Sequence, residues 1–385
     1  YLDSAASSQI DDRVIDAMME SMKEDFGNPS AIHSFGQEAK AKIESARKNI
    51  ARQLSVSPNE IIFTSGGTES NNLIIRSCIE SLGIKRIITS PLEHKCVTET
   101  VRDLREKHPD VEVIFLPLKN KNGELDFDAL EEYLQQNKPT LVSLMHANNE
   151  VGNLLDLKFV AELCKKYNSL FHSDTVQTMT HYPLDFSDIP IDFASCSAHK
   201  FHGPKGTGIA FIRKSIGLKG ITTGGAQERS MRAGTENIYG IIGLGKAFEL
   251  AIQELDERRK YIEELKQYTI EQLSAHIPGV KFNGNSADPD KSIYTMVSVL
   301  LPFPDTMVGL QLDMKGIAIS QGSACASGAA KPSNTMLQLY TQEELNNTTT
   351  LRISFSHYNT REDIDALIQA LLEIQKTSAI NTIHA

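Results

Sequence analysis

Between residues 55 and 215 short β-branched apolar runs alternate with amphipathic stretches, and nothing else in the chain narrows the fold as far. The runs are Ile61–Thr64, Arg86–Thr89, Val111–Leu116, Leu141–Met145, Leu170–Ser173, Phe193–Ser195 and Gly208–Ile212. Between most of them lie helix-like segments such as Thr68–Ser81, Cys96–Lys107, Phe127–Gln135 and Leu157–Lys166. Such alternation predicts an α/β protein with a mostly parallel seven-stranded sheet, covered by helices on both faces. Ligands of such sheets bind beyond the carboxyl ends of the strands, so the strand ends are where chemistry is sought.

After Gly240 the pattern changes. One long helix is expected from Ile241 to Ala275, then strands near Ile293–Leu301 and Leu351–Ser356, with helices near Asp305–Met314 and Arg361–Gln375. This reads as a smaller C-terminal α+β domain. The expected division is a large domain over residues 13–250 and a small one built from 1–12 and 251–385. An early helix, Ser34–Leu54, is placed to link the two.

Charge and cysteine usage exclude several functions. With 39 Lys+Arg against 49 Asp+Glu, the 385-residue chain carries a formal charge of −10, which disfavours nucleic acid and anionic membranes as partners. No run approaches the roughly 18 apolar residues of a membrane span. Five cysteines, widely spaced and without Cys-x-x-Cys, argue against a disulfide framework or structural zinc. The expected setting is the reducing cytoplasm, and the first residues lack the character of a signal peptide.

Three strand-end motifs carry chemistry. Ser195–Gly206 collapses from an apolar run into a Gly/Pro-rich loop containing Ser197, His199 and Lys200. A lysine in that setting suits a Schiff-base nucleophile; the bland alternative is a solvated loop lysine. In Phe171–Gln177, Asp174 stands at another strand end, where it could pair with a protonated pyridine nitrogen. His172 with Asp174 is the metal alternative, and no third ligand is evident nearby, so no metal site is assigned. Ser65-Gly66-Gly67-Thr68 leads into a helix and offers free N–H groups to a phosphate. Neither the Walker nor the G-x-G-x-x-G pattern is present.

Together with further motifs these segments form a recognisable series. It includes Leu2–Ala6, Gly27–Ser30, Thr64–Asn72, Glu93–Lys95, Met145–Gly152, Asp174–Gln177, Ser197–Gly206, Glu228–Thr235, Gly322–Cys325 and Arg352–Ser354. In this order, nearly end to end, the chain resembles the cysteine desulfurases of the NifS/IscS-like branch of the class V aminotransferase superfamily, which are fold-type I pyridoxal-phosphate enzymes.

The resemblance implies pyridoxal 5'-phosphate as cofactor and L-cysteine as substrate. It makes Lys200 the lysine that holds the cofactor, Asp174 the partner of its pyridine nitrogen, and Gln177 and Asn149 hydrogen-bonding groups near the ring hydroxyl. It sets His94 over the ring face, where it could also move protons. Gly67, Thr68, Ser197 and His199 would bind the phosphate, with Thr235 lent by a neighbouring subunit of a homodimer. Arg352 would clamp the substrate carboxylate, helped by Asn28. Cys325, in a run of small residues, would accept the sulfur as a persulfide and pass it to an acceptor protein such as an iron–sulfur scaffold. Cys78, Cys164 and Cys196 read instead as buried inert thiols, and Cys96 as structural.

The departures are few: Ser4 where Asn is usual, Gly67 where Ala is common, and Gln227 where His often stands. The chain ends soon after the Arg361–Gln375 helix, without the scaffold-docking extension of longer relatives, which puts that partner in doubt. Aminotransfer, selenocysteine lysis or kynurenine cleavage would use Lys200 and Asp174 equally but gain nothing from Cys325. A non-catalytic scaffold would have no use for Lys200, Asp174, His94, Cys325 and Arg352 together.

Overall fold

The computed structural model describes residues 1–321 and 332–383. Cys325 therefore lies outside the described residues. Seven strands form the main sheet: β1 (Ile61–Thr64), β2 (Arg86–Thr89), β3 (Glu112–Phe115), β4 (Thr140–Ser143), β5 (Leu170–Asp174), β6 (Phe193–Ser197) and β7 (Gly208–Ile212). Their order is β1-β7-β6-β5-β4-β2-β3. β7 runs antiparallel to both its neighbours, and every other adjacent pair is parallel.

The inner strands are buried on both faces, which is why they read as continuous apolar runs. Alternate residues feed different cores: Ala194 and Cys196 join one cluster, Phe193 the other. Helices α1 (Asp12–Glu24), α2 (Ser34–Gln53), α3 (Gly67–Leu82), α4 (Lys95–Lys107), α5 (Phe127–Leu134), α6 (Leu157–Lys166) and α7 (Ile238–Gln253) surround this sheet. α1 and α2 pack on α7, whereas α3 packs on α4 and lies over β5, β6 and β7.

The remaining elements are α8 (Leu255–His276), β8 (Lys281–Phe282), β9 (Met296–Leu301), α9 (Val308–Asp313), β10 (Ser320–Gln321), α10 (Asn334–Leu339), α11 (Gln342–Asn346), β11 (Thr349–Ser354) and α12 (Arg361–Ile383). Their strands form an antiparallel sheet ordered β10-β11-β9-β8. Its core takes Leu2 from the N-terminus together with Ile262, Val297, Ile353, Leu367 and Leu371.

Three sequence expectations need correction. The helix expected over 241–275 is two helices, α7 and α8, broken at Glu254 (φ −104, ψ 11). The break lets the chain change cores: α7 buries Ile241, Leu244 and Phe248 against the main sheet, and α8 buries Ile262, Leu265 and Leu273 against the small one. Arg13 and Arg258 hold the Glu254 carboxylate at the joint. The early helix α2 links nothing, because its Ala39, Ile43, Ile50 and Ala51 all belong to the main core. The last helix also runs further than expected, to Ile383.

Candidate active site

Lys200 follows β6 in a single turn of 3-10 helix (Ala198–Lys200), so the strand end delivers it to the carboxyl edge of the sheet. Its Nζ donates to the carbonyls of Ala5 (2.6 Å) and Ala6 (3.0 Å). The same N-terminal segment is tied to the lysine turn through Ser8, whose N–H and Oγ both reach His199 O. It is tied to the small sheet as well, by a bridge between Asp3 and Ser354 and a bond from the Ala5 N–H to Ser354 Oγ. Residues 3–8 thus hold the lysine and β11 in one frame.

Arg352 on β11 is buried. Its Nη1 donates to Asn149 O (2.7 Å), and its Nη2 donates to Asp3 Oδ1 (2.8 Å) and Ser320 Oγ (2.9 Å). Its Nε is buried without a partner among the described residues, a donor left for an acceptor such as a carboxylate. Ser320 pairs in register with Arg352, and Cys325 follows β10 by four residues in sequence.

Asp174 ends β5 and is buried. Its Oδ2 accepts from Asn71 Nδ2 (2.7 Å) and its Oδ1 from the Val176 N–H (3.0 Å). Gln177, also buried, donates to Ala5 O (3.1 Å). His94 is the N-cap of α4, its Nδ1 accepting the Cys96 N–H (3.2 Å). Beside it, Glu93 Oε1 accepts the Met145 N–H (2.9 Å), which ties this turn to the end of β4. Burial, with a smaller contribution from Asp174, pushes the Glu93 carboxyl well above the usual range.

The N-terminus of α3 meets this group from β1. Gly66 (φ +150) is its N-cap, and no side chain caps the helix. The free N–H groups of that first turn suit a phosphate. A Cβ on Gly67 would lie 2.5 Å from a methyl of Val176, so Val176 would have to shift for an alanine to fit there. Ser197 is buried at the end of β6, its Oγ 3.4 Å from where a Cβ on Gly66 would lie. Burial, then Lys200 and Lys205, push the His199 imidazole down to about 4, so it is neutral near pH 7. This donor set, with a buried carboxylate and a lysine, fits a phosphorylated pyridine aldehyde.

The structure thus joins Lys200, Gln177 and Arg352 through residues 3–8, and Asp174, His94 and the start of α3 through contacts across the strand ends. It leaves two expected residues apart. Asn28 is exposed and accepts the Ser30 N–H, and Thr235 is exposed in a loop beyond β7. Neither hydrogen-bonds to Asp174 or Arg352. Sequence reading missed Asn71 and the function of His172. Asn71 is wholly buried and bridges Asp174, Cys96 (Nδ2 to Sγ, 3.2 Å) and His172 (3.1 Å). A buried amide on the apolar face of an amphipathic helix was the available signal. His172, the sequence's metal alternative, has both nitrogens engaged, by Asn71 and Ser143. Cys78, Cys164 and Cys196 are buried, and burial raises each thiol far above its ordinary value.

An α/β sheet that brings a lysine, a buried carboxylate and an uncapped helix N-terminus to its strand ends is the frame of a fold-type I transferase. The chain belongs to the class V aminotransferase family, whose profile matches residues 1–367. It is 39% identical over 378 residues to the cysteine desulfurase IscS of Dictyoglomus turgidum, covering 97% of this chain and 94% of that protein. Among solved structures it is similar to a NifS-like protein, with a TM-score of 0.88, 34% identity and coverage of 98% and 99% of the two chains. It is also similar to SspA in complex with cysteine, with a TM-score of 0.79, 30% identity and coverage of 94% and 99%.

Proposed function

We propose that this protein is a pyridoxal-phosphate-dependent cysteine desulfurase, converting L-cysteine to L-alanine and carrying the sulfur on Cys325 as a persulfide. The observation that carries the reading is the tethering of Lys200 and Arg352 to one N-terminal segment, in a chain so similar to IscS over its whole length. Pyridoxal phosphate, when bound, supplies the electron sink that acidifies the substrate's Cα–H bond.

The protein's residues do the rest. Lys200 Nζ holds the cofactor and then moves the Cα proton. Asp174 would hold a proton on the pyridine nitrogen of the bound cofactor, Gln177 and Asn149 would hydrogen-bond near its ring hydroxyl, and His94 would cover its ring. Gly67, Thr68, Ser197 and His199 bind the phosphate, joined by Thr235 from a second copy of the chain. Arg352, with its spare Nε–H, orients the substrate carboxylate, and Asn28 assists. The Cys325 thiolate attacks the substrate sulfur: an S–S bond forms as the Cβ–S bond breaks, the released electron pair stays on the carbon skeleton, which takes up a proton at Cβ and another at Cα, and alanine leaves.

Homodimerisation is supported by exposed apolar side chains on α1, the turn after it and the start of α2: Met19, Met22, Phe26, Ile32 and Phe35, with Ile32 92% exposed. A sulfur-acceptor protein receives the persulfide. A cytoplasmic setting is supported by Cys78, Cys96, Cys164 and Cys196, none of them in a disulfide.

The test is to reconstitute the protein with pyridoxal phosphate, add L-cysteine and a thiol reductant, and measure products. Alanine and sulfide should appear in equal amounts. Cysteine consumption that yields pyruvate, or a keto acid with loss of the amino group, would overturn the reading.

A further inference from the structure

The polarity of the hydrogen bonds around Asp174 is forced, and following it outward leads to His94. A carboxylate only accepts, so the Asn71 group facing Asp174 Oδ2 at 2.7 Å must be the NH2. The Asn71 Oδ1 is then the acceptor on the other side of the amide, and His172 Nε2, at 3.1 Å, must donate to it. Burial pushes His172 down to about 4, so its ring is neutral, and its Nδ1 accepts from the Ser143 hydroxyl at 2.8 Å.

The second hydrogen of the Asn71 NH2 points to Cys96 Sγ at 3.2 Å. That sulfur lies 3.0 Å from His94 Nδ1, which already accepts the Cys96 backbone N–H. Burial and the nearby Asp174 push the Cys96 thiol up to about 12, so it keeps its proton; the Thr68 side chain also bonds to that sulfur and, like Asn71, can donate to it, which leaves the S–H for His94 Nδ1. The series runs one way: Ser143 to His172 to Asn71, then from Asn71 to Asp174 on one branch and through Cys96 to His94 on the other.

We propose that Asn71 and Cys96 are positioning residues that lock the Asp174 carboxylate and the His94 ring into one rigid unit, with His94 held as the Nε2–H tautomer. The ring's free nitrogen, Nε2, can then only donate. This rests on the reading above, in which Asp174 meets the pyridine nitrogen and His94 covers the ring. An edge contact and a face contact of one planar group would thus be set by a single amide, so their relative placement is fixed before the cofactor arrives. Cys96 stops being a bystander; its sulfur both accepts and donates, which a methyl group cannot do and a hydroxyl can.

The test labels histidine with 15N in the full-length protein and reads the His94 ring nitrogens with and without pyridoxal phosphate, a His94→Gln spectrum supplying the assignment. The expected wild-type spectrum, in both states, shows an unprotonated, hydrogen-bonded Nδ1 and a protonated Nε2. In Cys96→Ala the Nδ1 resonance should move towards that of a weakly bonded acceptor, and Cys96→Ser should return it. On L-cysteine, Cys96→Ala should lower kcat on the order of tenfold with KM little changed, because the ring is displaced while Arg352 is untouched. Cys96→Ser should recover most of that loss. Asn71→Ala strips partners from three buried groups and can fail to fold, so the two Cys96 variants decide the matter. A protonated Nδ1 in the wild type, or an Nδ1 resonance unmoved in Cys96→Ala, overturns the proposal. The cofactor-free spectra separate this from the functional reading: failure to load pyridoxal phosphate on Lys200 would sink that reading and leave the tautomer result standing.

Discussion

Replacing Arg47 by Met removes a buried ion pair that takes the place of a neighbouring strand, and its cost can be worked from the contacts. β1 is an edge strand of the main sheet, and Arg47 and Glu228, both buried, cap that edge. Arg47 Nη1 donates to Ile61 O at 2.6 Å, and Glu228 Oε2 accepts the Phe63 N–H at 2.8 Å. The two side chains meet in a bidentate pair, both bonds 2.8 Å. The pair also holds a run of left-handed residues, Glu228, Arg229 and Ser230 (φ 44, 57 and 65), a few positions before Thr235. Left-handed backbone at non-glycine residues costs on the order of 1 kcal/mol each and persists only when its surroundings impose it.

Arg47→Met leaves the Glu228 carboxylate buried with the Phe63 amide alone and takes the side-chain donor from Ile61 O. Removing one member of a buried pair costs about 3–5 kcal/mol, roughly a 150- to 5000-fold fall in the folded-to-unfolded ratio. Urea unfolding followed by circular dichroism should show that loss. The double replacement Arg47→Met/Glu228→Leu should recover part of it, because no unpaired charge stays buried. A loss below about 1 kcal/mol, the value of an exposed pair, would refute the edge-capping argument.

Three further outcomes are expected. Borohydride reduction of the cofactor-loaded protein should fix the label on Lys200, as peptide mapping will show; a label on any other lysine contradicts the assignment. Mixing Lys200→Ala with Thr235→Ala subunits should restore activity beyond the sum of the two alone, since one site per heterodimer is intact; no gain would place Thr235 within its own chain's site. Burial pushes the Lys266 ammonium from an ordinary 10.5 down to about 8, while its Nζ donates to Ser292 Oγ and Ile293 O. Between those pH values the unfolded chain binds the extra proton, so stability should rise with pH by roughly 3 kcal/mol; below pH 8 the cost is constant. Urea unfolding of Lys266→Met should lack that rise, and an unchanged pH slope in the variant would show that another group is responsible.

Most of the main strands were legible because they are buried on both faces and so are largely apolar, and Ile61–Thr64 and Gly208–Ile212 match their expected bounds; β3, partly exposed at the sheet edge, was legible through Val113, Ile114 and Phe115. β7's reversed direction left no mark, since antiparallel and parallel strands buried on both faces read alike. The two-residue strands β8 and β10 are too short to carry a period. The break at Glu254 was hidden because α7 and α8 are each periodic and nothing local marks a change of core. In the site, Lys200 and Asp174 were readable because each sits where an apolar run ends. Asn71 and His172 were not, because their work depends on the packing of α3 over β5, about a hundred residues apart in sequence. Arg47 and Glu228 are further apart still, 181 residues, and only the folded sheet edge brings them together.

The central claim is that Cys325 takes the sulfur. Cofactor-loaded protein exposed briefly to L-cysteine, then digested and analysed by mass spectrometry, should carry one reductant-labile sulfur on the peptide containing Cys325, and Cys325→Ala should release no alanine at a useful rate. Extra sulfur on Cys96 or Cys196, or alanine formation by Cys325→Ala at near wild-type rates, would contradict it.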